Sequence, residues 1–275
     1  DAEQLVQGNP ALKFKSNPSG NAYNLYMRVD KPDLPWRDVR VRRALMLGVD
    51  NQAIANEYYK GKAALVYFAC SPFVKDAYTP YEKLPPSTKE LYEYHPDKAK
   101  QLLAEAGYPK GFKASIICQT TAEDIDVLSI VKSYWAKIGV DLEIQPKEYA
   151  VFRSIQMSAA HPQMIYYVYS ATMDWSGLYM QPKNVWNMSQ IDDPYINERR
   201  AKIWLHENMT NEPLRNQLLK EITLYTLDQA YTTQIPAPYV CNIWQPWLKG
   251  YSGETTLGVY EAHNFPIWAW LDQEM

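Results

Sequence analysis

The residues best suited to chemistry gather between positions 163 and 186, in the stretch QMIYYVYSATMDWSGLYMQPKNVW. Its opening residues, 163–169, read as a buried strand that carries Tyr166, Tyr167 and Tyr169 toward a loop holding Asp174, Trp175, Tyr179 and Trp186. Tyrosine and tryptophan join a broad apolar face to one polar atom, so they suit surfaces that are alternately wet and covered. One carboxylate among such rings suits non-covalent capture of a solute. Ligands of open α/β sheets sit where strands run out into loops, which is where these rings are delivered. Side chains alternate across a strand, so at most one of Tyr166 and Tyr167 faces a cleft. The expectation is Tyr166, with Tyr169 reaching the cleft where the strand bends or ends.

Catalysis finds less support. His95, His161, His206 and His263 stand in no HExxH-type pairing, and each reads as a solvated or capping residue. The run Gly250-Tyr251-Ser252-Gly253-Glu254 approaches a nucleophile elbow but lacks its last glycine, and no helix pattern follows. No glycine loop is placed to cradle a phosphate. Glu123, Asp124 and Asp126 open a predicted helix, where free amides and the helix dipole favour carboxylates. The enzymatic alternative is a glycan-active α/β enzyme using the aromatic loop as a sugar platform and Asp174 as acid. It requires a second carboxylate ~5–10 Å away, with Glu148 and Asp192 as candidates. No catalytic residue, metal or cofactor is expected.

Composition agrees with binding: 22 Tyr and 9 Trp stand against only 6 Phe in 275 residues. The net charge of -3 argues against a nucleic-acid partner, which would call for a basic stripe. Arg40, Arg42 and Arg43 form the densest basic group and read as a solvated helix face balanced by Asp38 and Asp50. No apolar run approaches the ~20 residues that cross a bilayer. The start, DAEQLVQGNP, lacks the basic and apolar regions of a signal peptide, so a processed or truncated product is expected. Cys70, Cys118 and Cys241 are widely separated and odd in number. Buried free thiols are expected, with one disulfide as the alternative in an oxidising compartment.

The elements that must position the aromatic stretch follow from punctuation and periodicity. Residues 10–15 and 22–29 alternate as half-buried strands. Asp38 caps a helix with Val41, Ala44, Leu45, Gly48 and Val49 on its inner stripe; Asp50 caps a second helix, which Gly61 ends. Residues 63–93 are Pro-rich and irregular. Pro96 opens a further helix that stops at Gly107. Strand 113–118, helix 123–138, strand 140–146 and helix 149–158 then alternate, which predicts a sheet flanked by helices. After strand 163–169, a helix begins near Pro194, and Asn211 or Thr210 caps a longer one running to about Ala230. Residues 235–271 read as strands and loops. The pattern predicts one α/β domain with an appended C-terminal β segment.

Several of these stretches carry a family resemblance in register. Pro32, Pro35, Trp36, Asp38, Val41, Arg42, Ala44, Leu45 and Asp50 form the first motif. The second is Tyr94-x-Pro96-x-Lys98-Ala99-x-x-Leu102-Leu103-x-Glu105-Ala106-Gly107-Tyr108-x-x-Gly111-Phe112. Ile138-Gly139-Val140, Asp193-Pro194, Ile235-Pro236, Gly250-Tyr251 and Trp270-Leu271-Asp272 follow in order. Together they resemble the family 5 extracellular solute-binding proteins, the peptide- and nickel-binding receptors of ABC importers.

The resemblance covers the C-terminal half of such proteins and implies a lobe like that of type II periplasmic binding proteins, a mixed sheet flanked by helices. It divides the chain into strands leading into the lobe (1–35), the α/β lobe (36–235) and strands that return toward a first lobe (236–275). A missing N-terminal lobe would supply the other wall of the cleft. ABC permease subunits and a small solute, most often a peptide, would be the partners, at the periplasmic or extracellular face of the membrane, with lipoprotein anchoring. Tyr169 stands at the family's aromatic position and Thr172 at its acid position. The next carboxylate is Asp174, so the family's spacing is not reproduced. Tyr149 takes the place of a cleft-facing Trp, with packing at the first turn of its helix as the alternative. The expected ligand-binding set is therefore Tyr149, Tyr166, Tyr169, Thr172, Asp174, Trp175 and Trp186. His95 replaces the usual Asp cap. A stand-alone interaction module is the remaining alternative.

Overall fold

The computed structural model describes residues 2–66, 76–170, 180–208, 210–254 and 269–272. After a first helix, α1 (Ala2–Gly8), come strands β1 (Lys13–Asn17) and β2 (Asn21–Met27), then helix α2 (Val39–Leu47). Helix α3 (Asn51–Ala53) continues as a π-helical turn over Ile54–Tyr58, followed by the short β3 (Ala63–Ala64). Helices α4 (Pro86–Lys89) and α5 (Pro96–Glu105) lead into β4 (Phe112–Gln119), α6 (Ala122–Lys137), β5 (Val140–Lys147), α7 (Tyr149–Met157) and β6 (Met164–Ser170). Helices α8 (Pro194–Ile203) and α9 (Glu212–Asp228) precede β7 (Thr232–Ile235). The appended strands are β8 (Ala237–Pro238), β9 (Val240–Trp244), β10 (Leu248–Lys249) and β11 (Trp270–Leu271).

Five strands form one mixed sheet in the order β5-β4-β6-β2-β7. Strand β4 runs parallel to β5 and β6, whereas β2 is antiparallel to β6 and β7. The sequence alternation anticipates the parallel part, because a parallel pair needs a helical crossover and α6 supplies it between β4 and β5. Strand β2 comes from the N-terminal segment yet lies inside this sheet. Smaller antiparallel pairs, β1-β9, β3-β8 and β10-β11, hold the appended C-terminal strands, with β1 and β3 contributed by earlier parts of the chain.

The helix starts match the sequence signals closely. Asp38 accepts from the Arg40 amide at 2.8 Å, Asp50 from Ala53 at 2.8 Å, and Asn211 from Leu214 at 3.2 Å. Thr121 accepts from Asp124 at 3.2 Å and Glu148 from Ala150 at 2.9 Å. Each such bond satisfies an amide with no partner in the first turn and contributes about 1 kcal/mol. His95 makes no cap bond; its ring meets Glu93 at 3.1 Å instead. Gly107 ends α5 at φ 94°, a conformation that side-chain-bearing residues adopt at a cost.

Two apolar layers sandwich the sheet. Leu25, Ile116, Met164 and Tyr166 meet Val41, Leu45, Leu103, Val131 and Trp135 on one face. Tyr26, Ile117, Ile165 and Tyr169 meet Phe152, Ile196, Leu219 and Ile222 on the other. Fully burying side chains of this size stabilises by roughly 1.5–3 kcal/mol each, so the sheet is held by both layers.

Three expectations change here. Arg42 is not on a solvated face: it is 4% exposed and donates to the carbonyls of Gln229, Trp36 and Arg37, with its guanidinium over the Tyr231 ring at 4.8 Å. The apolar pattern cannot foresee a guanidinium spent on main-chain acceptors. His161 is not solvated but fully buried, donating from Nε2 to the Met188 carbonyl at 2.8 Å. Cys118 is a buried free thiol as expected, whereas Cys241 is free and exposed on β9, and Cys70 lies outside the described residues.

Candidate functional site at the carboxyl end of the parallel strands

Strands β4, β5 and β6 all end at one side of the sheet, at Gln119, Lys147 and Ser170. Strand β2 starts there, since Asn21 pairs with Ser170, and β7 finishes there, since Ile235 pairs with Tyr23. Helices α6 and α7 begin at the same end, which directs two positive helix termini toward it. The connections 18–20 and 236–239, which join the sheet to β1, β8 and β9, leave from this end as well.

Two groups of side chains flank it. On the α7 side, Tyr149 opens the helix and is 61% exposed. Arg153, one turn later, donates to the Tyr167 hydroxyl at 2.7 Å and to Gln156 at 2.5 Å. Its guanidinium lies 5.9 Å from the Tyr167 ring centre and 5.7 Å from that of Trp186. Tyr167 stacks on Phe152 at 6.0 Å and leans on Tyr169 at 4.8 Å. Burial raises the Tyr167 phenol above its usual value, an effect that Arg153 opposes. Arg153 has no carboxylate partner among the described residues.

On the α6 side, Tyr23, Tyr58 and Tyr59 surround the first turn of the helix. The Tyr59 hydroxyl is 3.4 Å from Glu123, and Tyr58 meets Tyr59 edge-on at 4.7 Å. Burial, with Glu123 adding to it, pushes the Tyr23 phenol up to about 12 and the Tyr59 phenol higher still. Asp124 accepts from the Gln119 amide at 3.3 Å, yet burial outweighs that bond and raises its carboxyl. A cavity of about 510 Å³ opens nearby, beside the β3-β8 pair, bordered by Asn51, Tyr78, Tyr81, Glu82 and Pro236.

The anticipated residues therefore divide. Tyr149 stands exposed at the rim. Tyr169 is 4% exposed and donates to the Trp186 carbonyl at 2.9 Å, with the two rings 6.1 Å apart, so these two are brought together. Tyr166 does not face a cleft: it is 1% exposed, inside the core layer beneath α6. Strand alternation separates it from Tyr167 as expected, but the face it chose is the covered one. Thr172, Asp174 and Trp175 lie outside the described residues. Arg153, Tyr23, Tyr59 and Glu123 were missed. In the sequence Glu123 reads only as a helix-start carboxylate, and Arg153 carries a signal, four residues after Tyr149 and hence on the same helix face.

The second carboxylate that the glycan-enzyme alternative requires is measured from Asp174, which lies outside the described residues. Glu148 caps α7 at this end, whereas Asp192 borders a cavity of about 420 Å³ beside Val29 and Asp30, past the far end of β2.

A mixed α/β sheet with rings and helix starts gathered at its carboxyl end defines a lobe of the periplasmic binding-protein type. The chain matches the family model "Bacterial extracellular solute-binding proteins, family 5 Middle" over residues 1–194, and it belongs to that family. It is 27% identical over 256 residues to the periplasmic oligopeptide-binding protein OppA of Escherichia coli, covering 88% of this chain and 44% of OppA. It is 26% identical over 240 residues to heme-binding protein A of Haemophilus influenzae, covering 82% and 41%. The fold is similar to that of the periplasmic binding protein DppA of Helicobacter pylori in complex with the peptide STSA. There the TM-score is 0.78 at 20% identity, over 98% of this chain and 51% of that one. The chain thus spans less than half the length of these curated relatives. Family 5 proteins are transport binding proteins, not enzymes, which removes the glycan-enzyme reading. No described helix is long and apolar enough to cross a membrane.

Proposed function

We propose that this chain is one lobe of the substrate-binding component of an ABC-type importer. The whole protein captures a small solute, most often a peptide, between this lobe and an N-terminal one, then presents the closed form to permease subunits. It works at the periplasmic or extracellular face of the membrane, held there as a lipoprotein. The observation that carries the reading is the sheet end itself. Tyr149, Arg153 and the Tyr23–Tyr59 group flank it, and both connections to the appended strands leave from it. A wall of rings and a cation without a carboxylate partner, with nothing opposite among the described residues, suits half of a closing cleft. The names of OppA and DppA support a peptide as solute, while that of heme-binding protein A widens the range.

Calorimetric titration of di- to pentapeptides, oligosaccharides and nickel chelates into the chain and into the full-length protein tests this. The full-length protein should bind one class well and the chain alone weakly. Micromolar affinity in the chain alone overturns the two-lobe account, and a tight two-fold dimer without ligand points to an interaction module.

A further inference from the structure

The α6 side of the sheet end holds a group whose chemistry the general reading leaves unused. Glu123, Asp124 and Asp126 occupy the first five positions of α6, and among the described residues none of the three pairs with a lysine or arginine. The helix dipole accounts for carboxylates at a helix start. It does not account for the rings gathered around them. Tyr58 and Tyr59 reach them from the π-helical turn after α3, a rare backbone form often found at functional sites. Tyr23 arrives from β2 and lies 6.5 Å from Tyr166, centre to centre.

Tyr166 supplies the independent sign. Its side chain is 1% exposed, and its hydroxyl has no hydrogen-bond partner. Burial raises that hydroxyl well above its ordinary value, and Tyr59, Asp124, Tyr23 and Glu123 add to the effect, so it lies near this same cluster. A buried hydroxyl left unpaired is costly, and one placed beneath uncompensated carboxylates marks a polar floor awaiting a donor. A cation entering here meets the Glu123 carboxylate with the Tyr58 and Tyr59 rings beside it, and carboxylates and aromatic rings are the two elements that bind ammonium and guanidinium groups.

We infer that Glu123, Tyr58, Tyr59 and Tyr23 form a subsite for a cationic side chain of the solute, of lysine or arginine chemistry. The inference rests on the reading of this sheet end as the ligand-facing wall. Charge balance supports it further: burial raises the Tyr23 and Tyr59 phenols most, but Glu123 adds to both shifts, and a bound cation offsets that negative charge.

The test uses the full-length protein and two probe peptides that differ only in one side-chain charge, Ala-Lys-Ala and Ala-norleucine-Ala, titrated by calorimetry. The lysine peptide should bind about tenfold more tightly. Glu123→Gln should abolish most of that difference, and an unchanged thermal unfolding midpoint shows that the variant is folded. Asp141→Asn, which removes an exposed charge at the other end of β5, should keep the preference. Equal affinity for both peptides in the unaltered protein overturns the subsite and leaves the binding-protein reading standing. So does a preference that survives Glu123→Gln. Failure of both peptides to bind the full-length protein overturns the peptide-binding reading and the subsite with it.

Discussion

A Cβ atom on Gly111 would stand 1.8 Å from the carbonyl oxygen of Gly139. The two glycines lie immediately before β4 and β5, at φ 74° and 85°, so the parallel pair starts with backbone against backbone. This contact sets how closely β4 and β5 approach, and therefore where Gln119 and Lys147 deliver α6 and α7 at the other end.

Gly111→Ala meets both a main-chain clash and an unfavourable backbone conformation. It should destabilise the chain by roughly 2–4 kcal/mol, the range expected of a strained, overpacked site. At Gly139 a Cβ would come no closer than 3.3 Å to its neighbours, so Gly139→Ala should cost clearly less. Urea unfolding of the two variants checks the order; equal losses would contradict the close approach.

His161 gives stability a pH dependence of defined sign. Burial, helped by the nearby Arg28 guanidinium, lowers the ring's value from 6.5 to about 4, so the folded chain keeps it neutral. Above pH 6.5 the ring is neutral folded or unfolded and its full contribution is present. As pH falls toward 4 the unfolded chain takes up a proton that the folded chain refuses, and on the order of 3 kcal/mol is lost. Asp30 and Asp38 titrate below the normal aspartate value, so their losses come at lower pH. Unfolding free energies between pH 7 and 4 should show this slope, and His161→Gln should flatten it.

Arg42→Met removes the donor that three carbonyls share. Leaving buried acceptors without partners should cost about 3 kcal/mol, most of it unrecovered in Arg42→Lys, because one ammonium cannot span the planar fork. Thermal unfolding measures both. A loss under about 0.5 kcal/mol, usual for surface sites, would restore the solvated-face reading.

Tyr149 and Tyr166 should behave oppositely. Tyr149→Ala, at an exposed rim position, should leave stability within about 0.5 kcal/mol yet weaken solute binding to the full-length protein several-fold. Tyr166→Phe deletes an unpaired buried hydroxyl and should leave stability unchanged or raise it by about 1 kcal/mol. Calorimetry and thermal unfolding on the same samples separate the two effects.

Helix starts were legible because caps are local: Asp38, Asp50 and Asn211 bond amides two or three residues on. The parallel core was legible because its alternation of strand and helix is local too. The position of β2 was not, since its partners β6 and β7 lie some 140 and 210 residues away along the chain. Tyr166 shows the same limit at the site. Period-2 alternation established that it opposes Tyr167, but which face meets the core depends on where α6 and α7 land. Arg42 and His161 misled because polar residues enter a core when the main chain offers acceptors, and such offers are set by tertiary contacts.

Strand β5 forms one margin of the main sheet, and its composition bears on how the isolated polypeptide behaves in a tube. Asp141 and Glu143 project outward from it, while Pro146 contributes no amide hydrogen near its end. Charge and a missing donor along an otherwise inviting ribbon discourage recruitment of further strands. Concentrated samples should therefore resist fibrous self-association along that side, and Pro146→Val together with Asp141→Val should remove the protection.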